Sequence, residues 1–336
     1  MSLFRISVIV LTYNDFAEIS GCIQNIISQK CSFNYEIIVI DSNSSDGTAE
    51  IVQDYPVKFI SIHPHQFHHA ITRNFAATIA NGDIIIYMNG HTIPCNSTWI
   101  ANIEREFRDP EVAIVYGKQI PAEDASIERI FTLKQMYGDK RIVKTKKDIH
   151  RLGYSLYQIS TVNAAIRRSI LLKIPFPPSV PVFEDVALAK EIIDHGYRII
   201  YSPDAAVFHS DEYTIANHFK RYFDIGVIYE RLGFFDIKTK RNLLLDGLKH
   251  ILAEIRMIIK MRRFVELPIT VIHETLKFTG LQLGKNSKWL PSALIREFSL
   301  YDVFDSSNNS ILTLHLYEDC VKEQPVSRKR KYAMRR

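Results

Sequence analysis

The chain has 336 residues, of which 46% are hydrophobic and 24% charged, and its net charge is +5. This composition is typical of a folded globular protein and excludes collagen-like, disordered and small disulfide-rich classes. Arg256, Lys260 and Arg262 interrupt the most apolar late region, so no run of about 18 apolar residues is present. We therefore expect no membrane-spanning helix.

The N-terminal residues MSLFRISVIVLTYN lack the basic start, long apolar stretch and cleavage site of a signal peptide. They predict a first strand instead. The four cysteines, Cys22, Cys31, Cys95 and Cys320, lie far apart and form no CxxC pair, which favours reduced thiols. These features together predict a cytoplasmic protein.

Residues 1–118 alternate short β-branched runs with amphipathic segments, which predicts βαβ units and a mainly parallel sheet. The strands are continuously apolar, as a sheet covered by helices on both faces requires. The fold class is therefore α/β and doubly wound, with a helix from Thr72 to Ala80. The strands are predicted at 5–12, 35–41, 57–62, 83–89 and 112–117.

The pattern weakens over 119–160, where charge rises, and we interpret this segment as a mobile excursion near a site. Order returns at 157–168 and continues in a helix over 184–196 that Gly196 ends. Two short strands, YRIIYSP and AAVFHS, follow. After Tyr213 the chain is predicted to be helical, with helices at 214–233, 239–263 and 266–284.

Two late segments combine positive charge with a possible surface role. RNLLLDGLKHILAEIRMIIKMRR places apolar residues on one helix face and basic residues on another. It suits either a helix at a membrane interface or an ordinary helix packed on the domain. The tail SRKRKYAMRR carries six Arg or Lys residues. We interpret it as a solvated terminus rather than a nucleic-acid-binding arm, with attraction to an anionic membrane as a third interpretation.

Polar residues follow two of the predicted strands. The first strand runs into Tyr13 and Asn14, and the second ends in VIDSNSSDGT. Ligands of open α/β sheets bind outside the carboxyl ends of the strands, so Asp41 is placed to accept hydrogen bonds from a nucleobase or ribose. For Asp46 we favour a structural role in turn and cap bonds.

The usual phosphate-binding loops are missing, because the chain contains neither GxGxxG nor GxxxxGK[ST]. Arg73, in FHHAITRN at a predicted helix start, is the best candidate for a phosphate contact. Its guanidinium and the helix N-terminus could both face a diphosphate.

Six segments occur in the order typical of one enzyme family: LTYN, IDSNSSDGT, FHHAITRN, YMNGHTIP, FEDVALAKEIIDHGYRIIYSPDAAVFHS and FKRYFDIG. The chain resembles the family 2 glycosyltransferases of GT-A fold, and within them the bacterial rhamnosyltransferase-like group. The resemblance covers residues 4–235, with a weaker echo in LGKNSKWLP. It implies a GT-A domain over 1–235, with a nucleotide-binding part at 1–118 and an acceptor and catalytic part at 119–235. A helical extension follows over 236–325, which is a candidate for contact with a membrane. The basic tail 326–336 ends the chain.

The resemblance also implies roles for individual residues. Tyr13, Asn14 and Asp41 match nucleoside-binding positions, and Arg73 matches an arginine near the diphosphate. Thr12, Asn89 and His91 complete the predicted donor site. The acidic pair matches the catalytic pair of the family, so Asp185 is the predicted general base, with Glu184 as its partner or substitute.

One departure from the family concerns a metal. Where the family places Asp-x-Asp or Gln-Asp to hold Mg²⁺ or Mn²⁺, this chain has Asn89-Gly90-His91. His209 falls where family members often supply a histidine ligand, so His91 and His209 could hold Mn²⁺ together. Alternatively, both histidines could donate directly to the diphosphate without a metal. We favour the metal.

The resulting hypothesis is an inverting glycosyltransferase that moves a sugar from a nucleotide-sugar donor to a saccharide acceptor. The resemblance suggests dTDP-rhamnose or a UDP-sugar as donor. It suggests a polyprenyl-diphosphate-linked saccharide at the cytoplasmic face of the inner membrane as acceptor, in the synthesis of O-antigen or capsule. The main alternative is a catalytically silent protein that binds nucleotide sugars, for which the missing carboxylates at 89–91 are the best argument. We expect no nucleic-acid partner.

Overall fold

The computed structural model describes residues 4–123, 125–209, 214–237, 243–301 and 303. Among these residues, the strands are β1 (Ile6–Thr12), β2 (Tyr35–Asp41), β3 (Lys58–Ser61), β4 (Ile84–Asn89), β5 (Ile93–Pro94), β6 (Val112–Ile120), β7 (Ile142–Lys144), β8 (Asn163–Arg167) and β9 (Arg198–Phe208). The α-helices are α1 (Ile19–Ile27), α2 (Thr48–Gln53), α3 (His69–Ile79), α4 (Trp99–Glu106), α5 (Ile127–Met136), α6 (Ile149–Leu152), α7 (Arg168–Leu171), α8 (Glu184–Asp194), α9 (Ile215–Arg231), α10 (Leu243–Lys260), α11 (Glu266–Lys285) and α12 (Ser292–Phe298).

The strands form one mixed sheet in the order β3-β2-β1-β4-β8-β6-β9-β5, and β7 pairs with the start of β9. Strands β1 to β4 are parallel to one another. Strand β8 is antiparallel to both β4 and β6, and β9 is parallel to β6. It follows that β1, β2, β3, β4, β6 and β9 all point the same way, so their carboxyl ends share one edge.

Helices cover both faces of the sheet, as the apolar strands predict. On β1, Ile9 and Leu11 face one core, into which α3 and α8 pack, whereas Val8 and Val10 face the other, into which α1 and α4 pack. This alternation follows from the two-residue period of a strand. The doubly wound α/β prediction is confirmed.

The predicted strand and helix positions agree well with the structure, with corrections at α3 and β9. Helix α3 begins at His69, three residues before the predicted start, and the His68 side chain accepts a hydrogen bond from the Ile71 amide. The two short strands predicted after Gly196 form the single strand β9. Its pairing with β6 shifts register between Gly117 and Gln119. That irregularity accommodates Pro203 within one continuous strand.

The described residues between 119 and 160 include α5, β7 and α6, where the sequence pattern is weak, and their interpretation as a mobile excursion stays a prediction. Lys144, one of the charged residues that suggested mobility, is buried. Its ammonium donates to the carbonyls of Ser155 and Gln158 at 2.9 and 2.7 Å and lies over the Tyr116 ring. Burial lowers the pKa of Lys144 to about 7. A buried lysine that is satisfied by carbonyls therefore anchors this segment.

The C-terminal helices pack closely on α9 through glycines. An added methyl group on Gly284 of α11 would lie 2.0 Å from the Phe223 carbonyl oxygen, and one on Gly226 of α9 would lie 2.3 Å from that of Leu281. The Asp224 carboxylate also accepts a 2.7 Å hydrogen bond from the Ser299 hydroxyl. Two helix backbones thus touch directly, and α11 is fixed to the domain that carries the sheet.

Two findings bear on the expectations from composition. No helix of the described residues is both long and apolar enough to cross a bilayer. Cys22, Cys31 and Cys95 are free thiols, whereas Cys320 and the basic tail lie outside the described residues.

The contact between α9 and α11 predicts a large effect of Gly284→Ala. The methyl group would force the two backbones apart, so we expect a loss of about 1–3 kcal/mol in the free energy of unfolding. Gly247→Ala in α10 is the matched control, because its methyl group meets open space. That change should be neutral or stabilise the protein by about 0.5–1 kcal/mol. Urea unfolding followed by circular dichroism measures both, and equal stabilities would show that α9 and α11 do not touch at Gly284.

Candidate active site at the carboxyl edge of the sheet

The carboxyl ends of β1, β2 and β4 lie side by side. Thr12 pairs with Asp41 in the β1–β2 ladder, and Leu11 pairs with Asn89 in the β1–β4 ladder. The Ser42 amide donates to the Thr12 carbonyl at 3.0 Å and the Gly90 amide to that of Leu11 at 2.9 Å. The predicted donor-site residues of the three strands therefore share one edge.

The loops after β1 and β2 are tied together by Asn14. This residue has a positive φ of 54°, a conformation that asparagine tolerates better than most residues. Its Oδ1 atom accepts from the Ser45 amide and its own amide donates to the Ser44 hydroxyl, both at 2.9 Å. The neighbouring Tyr13 is 57% exposed. Together the loops form one wall of the cleft, on which the Tyr13 ring is available to a ligand.

The two aspartates of IDSNSSDGT have different positions. Asp41 is buried, and its carboxylate accepts from the amide of Ser44 at 2.9 Å and from the hydroxyl of the same residue. Contact of Asp41 with a nucleobase or ribose stays a prediction. Asp46 accepts from the Thr48 amide at 3.0 Å and from the Phe16 amide at 3.1 Å. The structural role favoured for Asp46 is therefore confirmed.

Arg73 does not lie on an open surface. It is the fifth residue of α3, only 4% exposed, and its guanidinium forms a buried ion pair with Glu184. One guanidinium nitrogen also donates to the His69 carbonyl at 3.3 Å. The structure pairs Arg73 with Glu184, and contact of Arg73 with a diphosphate stays a prediction. A buried charge requires a partner, and the two residues compensate each other.

Asp185 lies beside that ion pair in the first turn of α8. Its carboxylate accepts from the amides of Val186 at 2.8 Å and Thr161 at 3.3 Å. Burial raises the pKa of Asp185 to about 7, and the neighbouring Glu184 carboxylate adds to the rise. Because Thr161 lies just before the antiparallel strand β8, this helix start lies at the same edge as the ends of β1, β2 and β4. A carboxyl group titrating near neutral pH suits general base catalysis.

A pair of histidines closes the other side of the edge. The Nε2 atoms of His91 and His209 are 3.1 Å apart. The Nδ1 atom of His91 lies 2.9 Å from a carboxylate oxygen of Asp15, and that of His209 lies 3.1 Å from the Gln119 side-chain oxygen. The Arg129 guanidinium is 3.4 Å from the same His209 nitrogen. The structure thus brings together the two histidines that the sequence predicts.

Sequence reasoning missed Asp15. Its other carboxylate oxygen accepts from the Thr12 hydroxyl at 2.8 Å. An added methyl group on Gly90 would lie 2.3 Å from that oxygen. Gly90 therefore gives the Asp15 carboxylate room to reach His91. Two features of the sequence point to Asp15. It directly follows LTYN, and Gly90 lies in the segment 89–91, where the family places its carboxylates.

This arrangement fits a divalent metal. Two nitrogen ligands about 2.1 Å from one ion and at right angles to each other lie about 3 Å apart, close to the observed Nε2 separation. Metal-binding histidines commonly present their second nitrogen to a carboxylate or carbonyl oxygen, as His91 does to Asp15 and His209 does to Gln119. The donor set suits Mn²⁺ better than Mg²⁺, because imidazole nitrogen is a poor ligand for Mg²⁺.

The histidine pair and the acidic pair are linked. The Gln119 side-chain amide donates to the Tyr137 hydroxyl at 2.8 Å while its oxygen faces His209. Burial raises the pKa of Tyr137, and the nearby Asp185 carboxylate contributes to the rise. This edge of the sheet therefore combines loops on which Tyr13 is exposed, a candidate metal site and a candidate base.

Comparison with known proteins agrees with this geometry. Residues 7–174 match the model of Glycosyl transferase family 2. The O-antigen chain rhamnosyltransferase RfbN of Salmonella typhimurium is 32% identical over 302 residues, which cover 88% of this chain and 95% of the relative. WbaN of Salmonella anatum, also described as an O-antigen chain rhamnosyltransferase, is 33% identical over 79% of this chain and 84% of the relative.

Solved structures share the fold. The mannosyltransferase PcManGT of Pyrobaculum calidifontis, in complex with GDP-Man and Mn²⁺, superimposes with a TM-score of 0.52 at 19% identity over 88% of this chain and 79% of its own. S. aureus TarS 1-349, in complex with UDP, gives a TM-score of 0.50 at 16% identity over 84% and 91%. The chain therefore belongs to glycosyl transferase family 2, and it is a nucleotide-sugar-dependent glycosyltransferase of GT-A fold.

Proposed function

We propose that the enzyme transfers rhamnose, with inversion, from a nucleotide-diphosphate donor to the growing saccharide of a bacterial surface polysaccharide. The position of Asp185 carries this proposal, since it is a carboxyl group that titrates near neutral pH at the edge where donors bind in this fold. The similarity to two O-antigen chain rhamnosyltransferases supports the choice of sugar and acceptor. We place dTDP-rhamnose first among donors and UDP-sugars second.

In the proposed reaction, Asp185 accepts the proton of the acceptor hydroxyl. The hydroxyl oxygen forms a bond to the anomeric carbon, the bond from that carbon to the donor diphosphate breaks, and the nucleoside diphosphate leaves. A single displacement of this kind inverts the anomeric configuration. Glu184 and Arg73 act as positioning residues, because their buried ion pair fixes the first turn of α8. The nucleoside binds on the wall formed by Thr12, Tyr13, Asn14, Asp41 and Asn89.

His91 and His209 would hold Mn²⁺ at the donor diphosphate, with Asp15 and Gln119 orienting them. A bound cation there would stabilise the negative charge of the leaving diphosphate. PcManGT, which shares the fold, was solved with Mn²⁺. The similarity to two O-antigen chain rhamnosyltransferases argues against a catalytically silent protein, and the proposed roles of Asp185, His91 and His209 agree with this.

Membrane contact is proposed for the turn between α10 and α11. Met261, Phe264 and Val265 are exposed there, Val265 by 85%, next to the exposed cations Lys260 and Arg262. Apolar side chains flanked by cations are typical of a surface that inserts into an anionic interface. The acceptor would then be a lipid-linked saccharide at the cytoplasmic face of the inner membrane. A helix at a membrane interface and a helix packed on the domain are compatible interpretations of α10. Its Ile258 is buried, whereas its C-terminal end at Lys260 is exposed.

The first prediction concerns the base. Asp185→Asn should lower turnover roughly 10²- to 10⁴-fold, the range of a general base. In the wild type, activity should fall as the pH decreases through about 7, since a protonated carboxyl cannot accept the proton. Nucleotide release from dTDP-, UDP- and GDP-sugars, with a membrane lipid extract as acceptor, measures both. Asp204→Asn, on the exposed part of β9, is the control and should retain full activity.

An unchanged rate in Asp185→Asn would exclude Asp185 as the base. Retention of the anomeric configuration in the product would exclude the single displacement. Donor binding by calorimetry without turnover by the wild type under any condition would support the silent alternative.

The second prediction concerns the metal. EDTA should abolish activity and Mn²⁺ should restore it. His209→Ala should remove this response, and Asp15→Asn should raise the Mn²⁺ concentration for half-activation by roughly 10- to 100-fold, the effect expected of a residue that orients a ligand. Full activity in EDTA would instead show that the histidines contact the diphosphate directly.

The third prediction concerns the turn between α10 and α11. Replacing Phe264 and Val265 together by serine should weaken binding to anionic vesicles by about tenfold or more, because each buried apolar side chain contributes about 1.5–3 kcal/mol. Trp289→Ser is the matched control, since this residue is also 78% exposed but follows the other end of α11. Vesicle co-sedimentation measures the difference, and equal binding by all three proteins would contradict a membrane role for this turn.

A further inference from the structure

A cluster of metal-ligating side chains lies far along the chain from the site described above. His250 and Glu254 are four residues apart on α10, so they share one helix face, and Glu274 faces them from α11. One ligand atom of each residue lies within 4.8 Å of those of the other two. The three residues therefore converge from two helices on one point.

Glu254 is the unusual member of this cluster. It is only 1% exposed, and within the part of the chain that the structure describes neither of its carboxylate oxygens has a hydrogen-bond partner. Burying an ionised carboxylate without a partner is costly, so such groups are normally paired, metal-bound or protonated. The side chain is thus aimed at a position where a cation would be stabilising.

The surrounding charges leave a negative surplus. Lys277 donates to Glu274 at 2.8 Å and also forms an ion pair with Glu128 of α5. One ammonium therefore serves two carboxylates, and the Arg129 guanidinium also acts on Glu128. Glu254 is a third carboxylate, so a metal ion beside Glu254 and Glu274 would balance the remaining negative charge. His250 adds an imidazole nitrogen to the two carboxylates.

We propose that His250, Glu254 and Glu274 form a second metal site, which takes a divalent transition metal such as Zn²⁺ or Mn²⁺. One imidazole and two carboxylates are a donor set that these ions accept, and helix-bundle proteins build metal sites from facing helices in the same way. A cavity of about 540 Å³ lined by His250 and Glu274 gives an entry path. The site is independent of the catalytic proposal.

The metal would have a structural role. Helix α10 contacts α11 and α5, with the His250 ring packed edge-on against Phe131 at 4.8 Å. A metal bound by ligands from α10 and α11 would cross-link the two helices that precede and follow the proposed membrane-binding turn. Binding would then stabilise the folded protein, because the ligands converge only in the folded state.

The test uses Zn²⁺ as probe and the full-length protein. To separate the two sites, equilibrium dialysis compares wild type, the His91→Ala/His209→Ala double variant, and that double variant with Glu254→Gln added. We expect two, one and no bound Zn²⁺ per chain. Glu297→Gln, an exposed carboxylate on α12, is the matched control in the double-variant background and should leave one Zn²⁺ bound.

Thermal unfolding checks that the loss of binding is not a loss of folding. With a chelator present, Glu254→Gln should be as stable as the wild type or more stable, because it removes an unpaired buried charge. With Zn²⁺ present, the melting temperature of the double variant should rise by several degrees, and that of its Glu254→Gln derivative should not. Equal Zn²⁺ binding with and without Glu254→Gln, or no Zn²⁺ on the double variant, would overturn the proposal and indicate that Glu254 is a protonated buried acid.

Discussion

Six strands of the sheet point in the same direction, and the chemistry of the site depends on this constraint. Because their carboxyl ends share one edge, residues as distant in sequence as Thr12, Asp41, Asn89 and His209 meet there. The antiparallel strand β8 begins at this edge, so Thr161 can donate to Asp185 and hold the start of α8 beside the cleft. Strand direction thus places the loops after β1 and β2, the histidine pair and Asp185 together.

Two charged side chains near the site have partners that the family pattern does not indicate. A carboxylate is absent from 89–91, but Asp15 of the first loop supplies one to His91, and Gly90 leaves room for it. Arg73 occupies the position implied by the resemblance, yet its charge is directed inward to Glu184. The carboxylate beside His91 therefore comes from the loop after β1, and the guanidinium of Arg73 pairs with a carboxylate of α8.

Much of the fold could be predicted from the sequence, because strands such as 35–41 are continuous apolar runs that end in polar residues. Long helices such as 266–284 were equally clear. The elements between 125 and 160 could not be predicted, since no local period shows that Lys144 is buried and donates to carbonyls 11 and 14 residues further along the chain.

The site was predictable in part, because several of its residues directly follow apolar strands. His91 and His209 lie in motifs at strand ends, and their pairing follows from topology. The partner of Arg73 and the contribution of Asp15 depend on side-chain packing between elements more than 70 residues apart, for which a single sequence carries no signal.

The glycine contact between α9 and α11 has a consequence for how the protein unfolds. The family resemblance implies a boundary near residue 235, which would suggest two units that unfold separately. However, Gly226 and Gly284 bring the helix backbones into direct contact, and Asp224 binds the chain after α12. If α11 separated from α9, the helix backbones that touch at Gly226 and Gly284 would both lose this contact. We therefore expect α11 and α12 to unfold together with α9 and the sheet domain, so heat or denaturant should give a single transition rather than two.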